Sequence, residues 1–158
     1  MLFLCLVIVG LFFALYGMYK QTLKAKVNTD VTAQVLFDLV NKEREKAGIA
    51  PLTWDDRLAA SARYKAADME EFGYFGHQKP GSSENNGVLQ AYTNTGRECK
   101  WISENILDGA GTTVAQDDIS SWMGSKSHRE AILDPKYDKA GLSIVGQSAV
   151  QHFCDLAQ

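Results

Sequence analysis

The chain opens on a stretch with almost no polar positions and then settles into amphipathic stripes. Of the first 19 residues, Met1 to Tyr19, 17 are apolar and none is charged. As a helix rising about 1.5 Å per residue, this stretch spans about 28 Å, close to the hydrocarbon thickness of a bilayer. It has neither the positive n-region nor the small-x-small cleavage site of a secretory leader, so residues 1–19 are expected to be a transmembrane anchor, with a signal segment as the other reading. Cys5 within it counts as a small apolar residue. Residues 20–30 read as a linker, and 31–158 as one domain of ordinary size.

Within that domain, Val31, Val35, Leu36, Leu39 and Val40 recur at helical spacing after N-cap candidates Asn28, Thr29 and Asp30, with Gly48 as the stop. A second start signal at Thr53 to Asp56 leads into the stripe Leu58, Ala62, Ala66 and Met69, ending at Gly73. From Tyr74 to Gly96 the chain turns polar and glycine-rich and is expected to be loop, with a short helix over Gly87 to Tyr92. Cys99 to Ile106 reads as extended. Thr112 or Thr113 is placed to cap a third helix through Ile119, Trp122 and Met123, and a helical turn from Ser127 to Leu133 ends at Asp134-Pro135. Ala140 to Val145 and Ser148 to Cys154, parted by Gly146-Gln147, predict a hairpin. Helices before and between a few strands, without regular alternation, argue for an α+β fold.

Composition narrows the function classes. With 16 Lys plus Arg against 19 Asp plus Glu and no basic run, the chain lacks the footprint of a nucleic-acid binder. Setting Cys5 aside leaves Cys99 and Cys154, an even pair on the two segments most ready to share a sheet. Bonded, they close a long loop and restrict the unfolded chain; unbonded, they are separate thiols in a reducing compartment.

Three histidines carry the candidate chemistry. His77 sits in a loop beside aromatics, in Gly73-Tyr-Phe-Gly-His77, where the glycines let a side chain stand at a rim. His128 opens the short helical turn. His152 alternates with apolar residues on the last strand and is expected to face solvent. Two imidazoles and a carboxylate suffice for an open divalent-metal site, but the local signature of two His four apart is absent. A Ser-His-Asp arrangement has no support, because no Gly-x-Ser-x-Gly elbow occurs.

The order of motifs is nevertheless specific. Leu39-Val-Asn-Lys-Glu-Arg-Glu-Lys-Ala-Gly48, Pro51-Leu-Thr-Trp54, Phe75-Gly-His77, Ser103-Glu-Asn-Ile106 and Ser121-Trp-Met-Gly-Ser-Lys-Ser-His-Arg-Glu-Ala-Ile-Leu133 follow one another. Together they resemble the CAP superfamily of cysteine-rich secretory proteins, antigen 5 and pathogenesis-related class 1 proteins, in its bacterial, SCP-like form. The resemblance implies a three-layer α-β-α sandwich with a central antiparallel sheet and an open cleft. In that family two His and two acidic residues line the cleft; by motif match these are His77, Glu104 and His128, with Ser125 where the second acidic residue usually stands. Ser103 replaces a usual glycine, and Asn105 and Trp122 are expected to hold the cleft in shape.

The resemblance further implies a divalent ion such as zinc on His77 and His128, or a lipid, sterol or peptide ligand. The missing carboxylate weakens two-carboxylate acid/base chemistry. The expectation is therefore an extracytoplasmic binding module, membrane-anchored or secreted, rather than an enzyme. The alternative is a divalent-metal-dependent hydrolase in which His77 and His128 hold the ion and Glu104 is the base. The side of the membrane is contested by charge: Lys20, Lys24 and Lys26 follow the span with nothing basic before it, which taken alone puts the domain in the cytoplasm. The cysteine pair and the resemblance point outward.

Overall fold

The computed structural model describes residues 33–82, 88, 93, 99–110 and 115–156. The apolar segment 1–19, the linker 20–30, the expected helix over Gly87 to Tyr92 and the capping Thr112 and Thr113 lie largely or wholly outside these residues. Among the described residues no helix is long and apolar enough to cross a membrane.

The chain runs α1 (33–46), β1 (Thr53–Trp54), α2 (Asp56–Phe72), β2 (Cys99–Asp108), α3 (Ala115–Gly124), α4 (Lys126–Ile132), β3 (Lys139–Val145) and β4 (Ser148–Leu156). The sheet order is β1-β3-β4-β2, with β3–β4 and β4–β2 antiparallel and the two-residue β1 parallel to β3. This is the expected α+β sandwich. The one element absent from the hydropathy reading is β1. Thr53 and Trp54 are strand rather than the start of α2, whose cap is Asp55: its carboxylate accepts from the backbone N–H of Arg57 and Leu58 at 2.9 and 3.1 Å. Two residues are too short to show a period. Their strand register is set from outside, by backbone pairing with β3, while the Asn41 amide holds the preceding residue, donating to the Leu52 carbonyl and accepting from its N–H.

Strand alternation sorts the core into two layers. Ala149 and Phe153 of β4, with Ala140 and Leu142 of β3, pack against Leu36, Phe37 and Val40 of α1, Ile119 and Trp122 of α3, and Ile132 of α4. On the other face, Val150 and Ile106 meet Ala62, Ala66 and Met69 of α2, and Cys154 meets Leu58. The alanines of α2 let it lie close to the sheet. The approach is closest at Gly141, where a Cβ would fall inside the backbone of Leu58 and Ala59.

One buried cation ties helix to loop, and one disulfide ties strand to strand within the sheet. Arg44, buried in α1, donates from its guanidinium to the carbonyls of Ala50, Ile132, Asp134 and Tyr137 at 2.7–2.9 Å, so the end of α4 and the approach to β3 are fixed to one side chain. Cys99 and Cys154 are bonded across β2 and β4 with a sequence separation of 55, which resolves the pair left open by the sequence. On β2, the Trp122 indole N–H donates to the Ile106 carbonyl at 3.1 Å, and the Asn105 amide donates to the His128 carbonyl at 3.1 Å.

Candidate functional site

Glu104 lies in the middle of β2 on the face covered by α2, directly across from His152 in the β2–β4 register. His152 corrects the sequence reading: it is fully buried, not solvent-facing. Strand parity explains why. His152 shares its side of β4 with Val150 and Cys154, both core residues, and a histidine there is retained only with a polar partner. That partner is Glu104, whose Oε2 accepts from His152 Nε2 at 2.7 Å. The other carboxylate oxygen, Oε1, accepts from His77 Nδ1 at 2.8 Å.

A carboxylate only accepts, so both facing ring nitrogens carry hydrogens. His152 Nδ1 is buried and has no hydrogen-bond partner among the described residues. His77 is fixed the opposite way round: Nδ1–H points inward and Nε2 is turned away from Glu104. The His77 side chain is 49% exposed and that of Glu104 1%, so His77 is the outward-facing end of a buried relay. Burial alone would raise the Glu104 pKa, but hydrogen bonds from His152 and His77, with the charges of His152 and Lys65, more than reverse this and lower it.

The His77 loop is held from α2. Gly73, at φ 63°, ends the helix in the left-handed conformation and turns the chain back. Lys65, fully buried, donates from Nζ to the His77 carbonyl and to Tyr74 Oη, both at 3.1 Å. Tyr74 Oη in turn donates to Asp68 Oδ2, and Lys79 Nζ donates to Asp68 Oδ1 at 2.9 Å. Burial lowers the Lys65 pKa, opposed by the nearby charges of Glu104 and Asp68. Lys65, Asp68 and Tyr74 were not singled out from the sequence. Lys65 was the available signal, because it stands on the Leu58–Ala62–Ala66–Met69 stripe where an apolar residue is expected.

His128, in the first turn of α4, is half-buried; burial lowers its pKa, and the charge of His77 lowers it further. The structure thus brings His77 and Glu104 into contact and puts His128 within electrostatic reach of His77. Ser125 stands just before α4 with its hydroxyl 3.3 Å from that of Ser127. Among the described residues, no group of three or more His, Cys, Asp or Glu side chains is placed to hold a metal ion. Glu104 accepts from both His77 and His152, and its side chain is 1% exposed; His77 and His128 are the two imidazoles nearer the surface that could act as donors to an ion.

A model described as the cysteine-rich secretory protein family, CAP, matches residues 37–155. Two Bacillus subtilis proteins are similar along most of this chain: YkwD, an uncharacterized protein, is 31% identical over 131 residues, and YlbC, an uncharacterized membrane protein, is 30% identical over 129. These alignments cover 83% and 81% of this chain but only 49% and 35% of the relatives, so the chain spans half or less of each. Among solved structures, an extracellular SCP-domain protein from Bacillus anthracis superposes with a TM-score of 0.70 at 22% identity, over 80% of this chain and 41% of that one. An outer surface protein from Borrelia burgdorferi superposes at 0.67 with 19% identity, over 78% and 92%.

Proposed function

The chain belongs to the cysteine-rich secretory protein (CAP) family, and from that premise we propose that it is an extracytoplasmic binding module, held at the membrane by residues 1–19 or released from it. Its cleft, edged by His77, Glu104, Ser125 and His128, takes a small ligand, a lipid such as a sterol, or a peptide. The observation that carries this reading is the double engagement and burial of Glu104: its oxygens accept from His77 and His152 and its side chain is 1% exposed, while His77 is left half-exposed with Nδ1 held inward. A preorganised imidazole at a rim is a recognition group. The disulfide supports an oxidising compartment, and the Bacillus anthracis relative is described as extracellular and YlbC as a membrane protein.

The metal-dependent hydrolase reading stands second, because it requires Glu104 to be free as a base toward an activated water. Zinc titration of the full chain in a maltoside micelle separates the two. The binding reading predicts no zinc-dependent hydrolysis at micromolar zinc, with or without uptake of the ion. Stoichiometric uptake lost in both His77→Ala and His128→Ala, accompanied by zinc-dependent hydrolysis, would move the assignment to the hydrolase.

A further inference from the structure

A cavity of about 280 Å³ opens at the far end of α2, against the β3–β4 hairpin and the end of β2, and its walls include neither His77, Glu104 nor His128. Glu70, Tyr74, Phe75, Asp108, Gln147 and Ser148 line it, and no basic residue does. Glu70 is built into place. Its Oε1 accepts from the Gln147 N–H at 3.0 Å and from Ser148 Oγ at 2.8 Å, and its Oε2 lies where a Cβ on residue 146 would stand, a position open because that residue is glycine.

The aromatic wall gives a second, independent indication of what fits. Three aromatic residues close together at this turn of the chain are solvent-accessible in part: Phe72, Tyr74 and Phe75. Two already carry a cation from this protein, since Lys79 Nζ lies 3.2 Å from the Phe72 ring centroid and Lys65 Nζ 4.8 Å from that of Tyr74. Phe75, half exposed on the cavity wall, carries none among the described residues. An aromatic face beside carboxylates that meet no basic residue in the described cavity lining, though Asp108 Oδ1 accepts from the Gly109 N–H at 2.9 Å, attracts an organic cation through the ring quadrupole and through charge-assisted hydrogen bonds.

We propose that this cavity is a second binding site, selective for an alkylammonium or guanidinium group that stacks on Phe75 and donates to Glu70 and Asp108. It is independent of the cleft reading above. Such a group is presented by a lysine or arginine side chain of a peptide or by a free amine, and the test has an arm for each.

Amide NMR shifts of the full chain in a maltoside micelle, which brings no cation of its own, are followed on adding propylguanidinium or propylammonium chloride, acetyl-arginine methylamide, and neutral propylurea. Saturable shifts at Gly73, Phe75, Asp108 and Gln147 are expected with the cations and not with propylurea. Tighter binding of the arginine derivative identifies a peptide source, and equal or weaker binding a free amine. Asp108→Asn and Phe75→Ala, which leave the Glu70 clamp on the hairpin intact, should each weaken binding by about tenfold. Should Phe75→Ala not fold, Phe75→Leu removes the ring while keeping an apolar side chain. Absence of saturable shifts, equal shifts with propylurea, or unchanged affinity in folded Asp108→Asn and Phe75 variants overturns the proposal.

Discussion

Asp68 shows how the site depends on single protonation states. Burial alone would raise its pKa, but hydrogen bonds from Lys79 and Tyr74, with the charges of Lys79 and Lys65, hold the carboxyl below its ordinary value. A carboxyl whose folded pKa is depressed stabilises the fold fully above the unfolded value, about 3.9, and loses that contribution as the pH falls through the folded value. Urea melts between pH 5 and pH 2 should therefore show a smaller acid-induced loss in Asp68→Asn than in the wild type, with the two differing most at the upper end of that range. An identical acid limb in both would mean that the Lys79–Asp68–Tyr74 cluster contributes nothing to folding. At this scale the sequence was half legible. Motif order located His77 and Glu104, but the residues that complete the relay, His152 and Lys65, carry no motif. Their role depends on a strand register and a helix packing that only the fold supplies.

Elements were more legible than site partners, because period and caps are local. The stripe Leu58–Ala62–Ala66–Met69 and the stop at Gly73 are α2 as found, and Gly146-Gln147 is the turn of the β3–β4 hairpin. The register of Thr53 and Trp54 was not legible, since it is set by pairing with β3 rather than by the two residues themselves. The same dependence on neighbours makes Gly141 the most demanding position of the sheet. Its missing side chain is what allows α2 to approach β3 closely, opposite His152. Gly141→Ala must push helix from strand and is expected to cost about 2–3 kcal/mol, the upper range for overpacking, read from the urea midpoint. A loss below about 0.5 kcal/mol, the ordinary scatter of surface substitutions, would show that α2 is free to shift and that the Glu104–His152 contact does not depend on that packing.

On the scale of the whole molecule, one covalent link pins the sheet and one buried cation pins the layer beside α1. The Cys99–Cys154 bond joins the start of the edge strand β2 to β4 across 55 residues of chain. The paired substitution Cys99→Ser and Cys154→Ser should lower stability by about 2–4 kcal/mol by freeing the unfolded chain, measured by urea unfolding at neutral pH. No change would place the linkage outside the folding energetics and weaken the argument for an oxidising compartment. Arg44, on the opposite layer, gathers four carbonyls from the loop after α1, the last residue of α4 and the segment between α4 and β3. Together they leave the His77 loop, held through Lys65, as the part of the relay that faces outward. The central claim is that this outward imidazole marks a ligand-binding cleft. Native mass spectrometry of the full chain purified from its own host, beside the His77→Ala, His128→Ala double variant, tests it most directly. The account predicts a bound species in the wild type that is depleted in the double variant; a wild type without any bound species, or a species retained equally by both, would contradict it.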